Sequence, residues 1–60
     1  MKDIMKYKLL LVEDNPVDIN VFQVMLKNSG IGITQFDIAE SLEEGIKCCR
    51  ELMPDLIFLD

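Results

Sequence analysis

The chain has no histidine and no tryptophan, and its two cysteines, Cys48 and Cys49, are adjacent. Neighbouring cysteines in a helix cannot easily form a disulfide with each other, and the chain lacks the four ligands that a structural zinc site needs. A fold held by disulfides or zinc is therefore excluded. We expect both thiols to be reduced, in a cytoplasmic protein, and to pack as small buried hydrophobic groups.

Basic residues and long apolar runs are also scarce. The 60 residues include 6 Lys and Arg against 11 Asp and Glu, a formal net charge of −5, whereas a nucleic-acid surface needs clustered basic side chains. Residues 9–12 are as long as any apolar run in the chain, far short of the roughly 20 residues of a membrane span. We therefore expect neither nucleic acid nor a membrane as a partner of this segment.

Three segments have the pattern of β-strands. Residues 8–12 are a lysine followed by a continuous apolar run, and residues 56–59 are apolar throughout, which is typical of strands buried on both faces of a parallel sheet. Residues 33–39 include alternating apolar and polar side chains, as in a half-exposed strand. The first and third strands should therefore lie inside the sheet, and the second at an edge.

Two helices are predicted between these strands. Asn15 and Pro16 suit the cap and first turn of a helix over residues 16–28, and Gly30 suits its left-handed end. The polar stripe of this helix is narrow, so we expect more than one of its faces to be covered. Ser41 and Glu44 have capping-box spacing before a second, amphipathic helix. Its apolar stripe comprises Leu42, Ile46, Cys49 and Met53.

The resulting order, β-α-β-α-β with short turns, predicts an α/β domain with a parallel sheet. Right-handed crossovers place the two helices on opposite faces of the sheet and give the strand order 2-1-3. The chain then reverses direction across the sheet at the first strand, and open α/β sheets bind their ligands at such a switch point.

Acidic residues end both interior strands: Glu13 and Asp14 follow the first, and Asp60 ends the third. Neighbouring strands are about 4.8 Å apart, so these carboxylates should crowd one crevice, where a cation would relieve their repulsion. A hard divalent ion, Mg²⁺ first, suits oxygen ligands. In a chain this acidic, a chance cluster is the alternative.

These residues carry a resemblance to a known family. Residues 10–18, LLVEDNPVD, resemble the opening of a response-regulator receiver domain of two-component signalling. Residues 54–60, PDLIFLD, resemble its third strand, which ends on the phosphorylated aspartate, and residues 37–41 resemble its second strand. The resemblance implies the first half of a flavodoxin-like (CheY-like) doubly wound sheet. It makes residues 1–7 an N-terminal extension and residues 8–60 a truncated receiver domain.

The resemblance also implies roles. Asp60 would accept a phosphoryl group from a histidine kinase or a phosphotransfer protein, and would join Glu13 and Asp14 in holding Mg²⁺. Asp14 would bind the metal directly and Glu13 mainly through a coordinated water. We expect Asp18 to act chiefly on the helix dipole, and Asn15 to be a cap before it is a site residue.

Receiver domains are about twice this long, and the sequence lacks what their second half supplies: a carbonyl ligand beyond Asp60, a Ser or Thr and a Lys. We therefore expect the 60-residue chain alone to bind Mg²⁺ weakly and to keep no lasting aspartyl phosphate. We also expect it to fold poorly or to self-associate through the outer edge of its third strand.

Two other functions stay open. A metal-dependent phosphohydrolase of the haloacid-dehalogenase type would need two aspartates two residues apart after the first strand, whereas Asn15 and Pro16 follow Asp14 here. An inert or purely associating fragment would keep the fold pattern without chemistry. The resemblance favours a signalling domain that is not an enzyme.

Overall fold

The computed structural model describes residues 6–59. Every strand pair is parallel, and the first strand lies between the other two, so the spatial order is 2-1-3. This confirms the predicted order and the first half of a flavodoxin-like sheet, but the third strand, which was expected inside the sheet, is an edge strand among residues 6–59. No helix within the described range is long and apolar enough to cross a membrane. The elements are β1 (Tyr7–Val12), α1 (Pro16–Ser29), β2 (Ile33–Ala39), α2 (Leu42–Leu52) and β3 (Leu56–Leu59).

β1 is the buried centre of the fold. Leu9 and Leu10 are each 1% exposed, because β1 has a strand on either side and a helix over each face. The strand begins at Tyr7, one residue earlier than predicted, since the Tyr7 amide donates to the Gly32 carbonyl at 2.9 Å. Successive side chains alternate between the two sheet faces, so the apolar residues 9–12 of β1 supply both halves of the core.

α1 covers one face through an aromatic cluster. The Phe22 ring stacks on Phe36 of β2, with centroids 6.3 Å apart, and meets Phe58 of β3 edge-on at 4.9 Å. These separations are typical of favourable aromatic pairs. We expected more than one face of α1 to be covered, but among the described residues the apolar side chains of its other faces stay exposed. The exposed apolar side chains of α1 are Val17, Val21, Val24 and Met25.

α2 covers the opposite face, and its contact stripe differs from the predicted one. Cys48 and Cys49 pack as expected against a cluster of Leu10, Val12 and Ala39. However, the predicted stripe residues Leu42, Ile46 and Met53 stay exposed. The helix is turned so that Gly45, which has no side chain, lies buried against Val12.

The predicted caps are confirmed, with one change. The Asn15 side chain accepts from the Val17 amide at 2.9 Å, and the Ser41 hydroxyl accepts from the Glu44 amide at 3.1 Å. The Glu44 carboxylate accepts from the Glu40 amide at 2.8 Å, one residue before the usual capping-box partner. Both helices therefore begin where the sequence predicted.

A polar clamp fixes the turn from α2 into β3. The Lys8 amide donates to the Asp55 carboxylate at 2.9 Å, and the Asp55 amide donates to the Lys8 carbonyl at 2.8 Å. The Lys8 ammonium also donates to the Leu52 carbonyl at 3.1 Å, at the negative end of the α2 dipole. The clamp sets the register in which β3 enters the sheet beside β1.

The two helix ends give a matched stability prediction. Both Gly30 and Met53 are left-handed, with φ of 79° and 49°, a conformation that costs a non-glycine residue about 1 kcal/mol or more. Because Met53 is 72% exposed, Met53→Gly should lose little packing and raise the unfolding free energy by about 0.5 kcal/mol, after the added chain entropy. Gly30→Ala should lower it by about 1 kcal/mol. Urea unfolding followed by circular dichroism measures both, and a fall with Met53→Gly would contradict the prediction.

Candidate functional site

The site is built where β1 ends. Val12 is the last residue of the strand, and the Glu13 amide continues the pairing by donating to the Ala39 carbonyl of β2 at 2.9 Å. Glu13 is therefore held against the sheet before the chain turns away into α1. Its side chain is 8% exposed, the one buried acid in residues 6–59.

The Glu13 carboxylate is oriented by the turn that follows it. Its Oε2 accepts from the backbone amides of Asp14 at 3.1 Å and Asn15 at 3.0 Å. Hydrogen bonds to a charged acceptor are stronger than neutral ones, and they offset part of the cost of burying a carboxylate. The carboxylate is thus fixed before any ligand arrives.

The start of α1 borders this carboxylate. Asn15 caps the helix as predicted, so it is occupied by the Val17 amide. Asp18 lies in the first turn of α1, where its charge suits the positive end of the helix dipole. Asp14 is exposed and leads directly into the cap.

Two open grooves meet at Glu13. One, of about 360 Å³, runs between α1 and β3 and has Glu13 and Asp18 on its wall. The other, of about 320 Å³, lies toward α2 and includes Glu13 and Asp14. Leu59, the last residue of β3, lines both grooves. The point shared by the two grooves is the carboxyl edge of β1 and β3, as the topology predicted.

The structure brings two of the three predicted site residues together. Glu13 and Asp14 line one groove, whereas Asp60 lies outside the described residues. Val12 is paired with Leu59 across the β1–β3 ladder, and Glu13 and Asp60 are the residues that follow these two in the sequence. Within residues 6–59, no three acidic, cysteine or histidine side chains form a group that could hold a metal ion.

The donor chemistry of this edge fits a hard cation. Glu13 and Asp14 offer carboxylate oxygens to the groove toward α2, and Mg²⁺ prefers one or two carboxylates with several waters. The buried Glu13 is held by the turn, whereas Asp14 stays accessible. These two residues therefore fit a hard cation in their chemistry, although they do not form a complete set of ligands within residues 6–59.

Comparison with known proteins relates the chain to a protein of signal transduction. Over 53 residues, 88% of its length, the chain is 42% identical to "Hybrid signal transduction histidine kinase B" of Dictyostelium discoideum. The chain is related to a segment of a signal-transduction kinase. It spans only 2% of that protein's length. No protein-family model matches the chain, and no solved structure gives a significant match.

The sequence did not predict the contact between Gly45 of α2 and Val12 at the end of β1. Gly45 of α2 is buried, and a Cβ placed on it would lie 2.8 Å from Cγ2 of Val12. An isolated glycine inside a helical pattern, which costs about 1 kcal/mol relative to alanine, was the available signal. It often marks a close approach that only glycine permits.

Substitution of Glu13 tests the local architecture. Glu13→Ala removes the acceptor of the Asp14 and Asn15 amides, and leaving such amides unpaired should lower the unfolding free energy by about 1–2 kcal/mol. Glu13→Gln keeps an acceptor oxygen and should lose less than half of that. Urea unfolding gives both values. Equal losses in the two variants would show that the charge of Glu13, rather than its acceptor geometry, stabilises the turn.

Proposed function

We propose that the chain is the phospho-accepting part of a receiver domain in two-component signalling. Asp60 accepts a phosphoryl group from the phosphohistidine of a histidine kinase or a phosphotransfer protein, with Mg²⁺ held by Glu13, Asp14 and Asp60. One observation carries the proposal: the buried, pre-oriented Glu13 carboxylate at the carboxyl end of β1. Val12 is paired with Leu59 of β3. Glu13 is the residue after Val12 in the sequence, and Asp60 is the residue after Leu59.

Similarity to a signal-transduction histidine kinase supports the same chemistry, as do the receiver-like motifs of residues 10–18 and 54–60. Free Cys48 and Cys49 suit a reducing compartment, and a cytoplasmic location is part of the proposal.

In the proposed transfer, the phosphorus–nitrogen bond of the donor breaks as a bond forms between phosphorus and a carboxylate oxygen of Asp60. A carboxylate is a weak nucleophile toward a charged phosphoryl group. Bound Mg²⁺ would neutralise the charge on the phosphoryl oxygens. Asp14 would bind that ion directly, and the fixed Glu13 carboxylate would orient one of its waters.

The proposal includes no turnover of free phosphate esters. A dehalogenase-type phosphohydrolase has a second aspartate two residues after the first. In this chain Asp14 is followed by Asn15 and then by Pro16, so the second position holds proline instead of aspartate. Asn15 is occupied as the cap of α1. Steady release of phosphate from an ester would favour the enzyme over the signalling domain.

Phosphorylation with a small donor tests the proposal. On addition of Mg²⁺, the amide resonances of residues 13–15 should shift, and the shifts should weaken in Asp14→Asn because it removes a charged ligand. On addition of acetyl phosphate and Mg²⁺, intact mass at short times should show one phosphoryl group that is lost later. Asp60→Asn should abolish the adduct.

The control is Asp55→Asn at the other end of β3, because asparagine can still accept the Lys8 amide. It should be labelled like the unaltered chain. Absence of both the Mg²⁺ shifts and the adduct at every time would contradict the proposal. An adduct that survives Asp60→Asn would place the acceptor elsewhere.

A second candidate is association of two copies of the chain through β3. Ile57, Phe58 and Leu59 are 48%, 44% and 66% exposed, and the outer side of β3 pairs with no strand among residues 6–59. β3 has no charge, proline or glycine, the features by which exposed edges avoid pairing. The opposite edge, β2, carries polar Thr34, Gln35 and Asp37. An apolar edge without charge is self-complementary, so two copies could join antiparallel about a two-fold axis.

Sedimentation at several concentrations tests this association. The unaltered chain should form dimers, and Ile57→Lys should shift it toward monomer because the lysine charge opposes edge pairing. Val24→Lys is the control, since Val24 is 57% exposed on α1 and lines neither of the two grooves that border β3. A folded monomer at every concentration would contradict the proposal, and equal effects of both lysines would indicate non-specific apolar contact.

A further inference from the structure

Gly45 is the point at which α2 rests on the end of β1. It is the one buried residue of α2. A Cβ on this residue would meet Val12 Cγ2 at 2.8 Å, Cγ1 at 3.7 Å and Cβ at 3.9 Å, which are its three nearest atoms outside its chain neighbours and the local helix backbone. A contact of 2.8 Å is below any that carbon atoms tolerate, so even one added methyl group would require Val12 or the helix to move.

Val12 has little freedom to yield. Valine is branched at Cβ, which restricts its χ1 rotamers, and the side chain is 8% exposed within the cluster that includes Leu10 and Ala39. Val12 is also paired with Ala39 on one side and Leu59 on the other. A steric clash between α2 and the Val12 side chain would therefore displace the backbone at the end of β1.

Glu13 is the next residue along that backbone. Its amide donates to the Ala39 carbonyl at 2.9 Å, and its carboxylate receives the Asp14 and Asn15 amides at 3.1 and 3.0 Å. The bond from the Asp14 amide, at 3.1 Å, lies near the long end of the usual range of about 2.7–3.2 Å, and the other two have ordinary lengths. A displacement of a few tenths of an ångström at Val12 would weaken the pair that orients the carboxylate.

We propose that Gly45 is a positioning residue for the Glu13 carboxylate and acts through Val12. The bare backbone at Gly45 lets α2 pack on Val12 without displacing it, and this contact holds the end of β1 where the turn can orient Glu13. The consequence for Mg²⁺ rests on the proposed function. The effect on the Glu13 hydrogen bonds does not.

The structure supplies a compensating pair of substitutions. Gly45→Ala introduces the clash with the Val12 methyl groups. Val12→Ala removes both methyl groups and leaves the two Cβ atoms 3.9 Å apart, an ordinary van der Waals distance. The double variant should therefore restore the packing that each single variant disturbs. Ile46→Ala is the control, because Ile46 is the neighbour of Gly45 and is 50% exposed.

The first readout needs no metal. Amide resonances and hydrogen-exchange rates of Asp14 and Asn15 report their bonds to Glu13. Both amides should shift and exchange several-fold faster in Gly45→Ala and in Val12→Ala, and return toward their original values in the double variant. If Gly45→Ala does not fold, the return from Val12→Ala to the double variant gives the same information.

The second readout is Mg²⁺ affinity of the folded fraction. It should fall about tenfold in Gly45→Ala, the usual effect of disturbing a residue behind a metal ligand, and recover in the double variant. Unchanged amides of Asp14 and Asn15 in variants that are merely less stable would overturn the proposal, as would an equal effect of Ile46→Ala. Rescue of the amides in a chain that binds no Mg²⁺ would uphold the positioning role and contradict the metal site.

Discussion

Burial of β1 on both faces is the interaction on which the rest of this structure depends. Its leucines at 9 and 10 are each 1% exposed, and full burial of such a side chain contributes about 1.5–3 kcal/mol. Consecutive residues of a strand point to opposite faces. One short apolar run therefore gives α1 an apolar surface to pack on at one face and α2 another at the opposite face. β2 and β3 then pair with its two edges. Each later element is defined by how it covers β1.

The candidate site is a consequence of the same strand. A parallel sheet brings the carboxyl ends of its strands to one edge, and the acids that end β1 are there because the apolar run stops at Val12. Burying the Glu13 carboxylate is costly by itself. The turn into α1 offsets part of that cost by directing two backbone amides at the carboxylate. The groups that stabilise the helix start therefore also orient the acid.

The two faces of the sheet are packed by different means. On the α1 face, Phe22 bridges Phe36 and Phe58, so large rings fill the space between helix and sheet. On the α2 face, a glycine and two cysteines contact the strands, so the helix lies close to Val12 and Ala39. Small side chains let the backbone of α2 come close to the strand. At this distance, a shift of α2 would also displace Val12. The α2 face is thus the more sensitive support for the end of β1.

Much of this arrangement was predictable from local pattern. The apolar runs, the alternation in β2 and the caps at Asn15 and Ser41 predicted the elements, because strand burial and helix capping depend on residues adjacent in the chain. The contrast between two apolar strands and one alternating strand then indicated the order 2-1-3, and right-handed crossovers placed the helices on opposite faces. That order predicted that Glu13 and Asp14 would stand at a switch point. The role of Asp60 remains a prediction from resemblance.

The rotation of α2 was decided by tertiary structure. Helical periodicity identified Leu42, Ile46, Cys49 and Met53 as the apolar stripe, whereas the contact is made through Gly45, Cys48 and Cys49. Periodicity measures which side chains are apolar, but packing also depends on how closely two backbones can approach. By itself the sequence determined which elements form and where the acids fall. The fit of Gly45 against Val12 arises only when a helix and a strand distant in the chain are brought together.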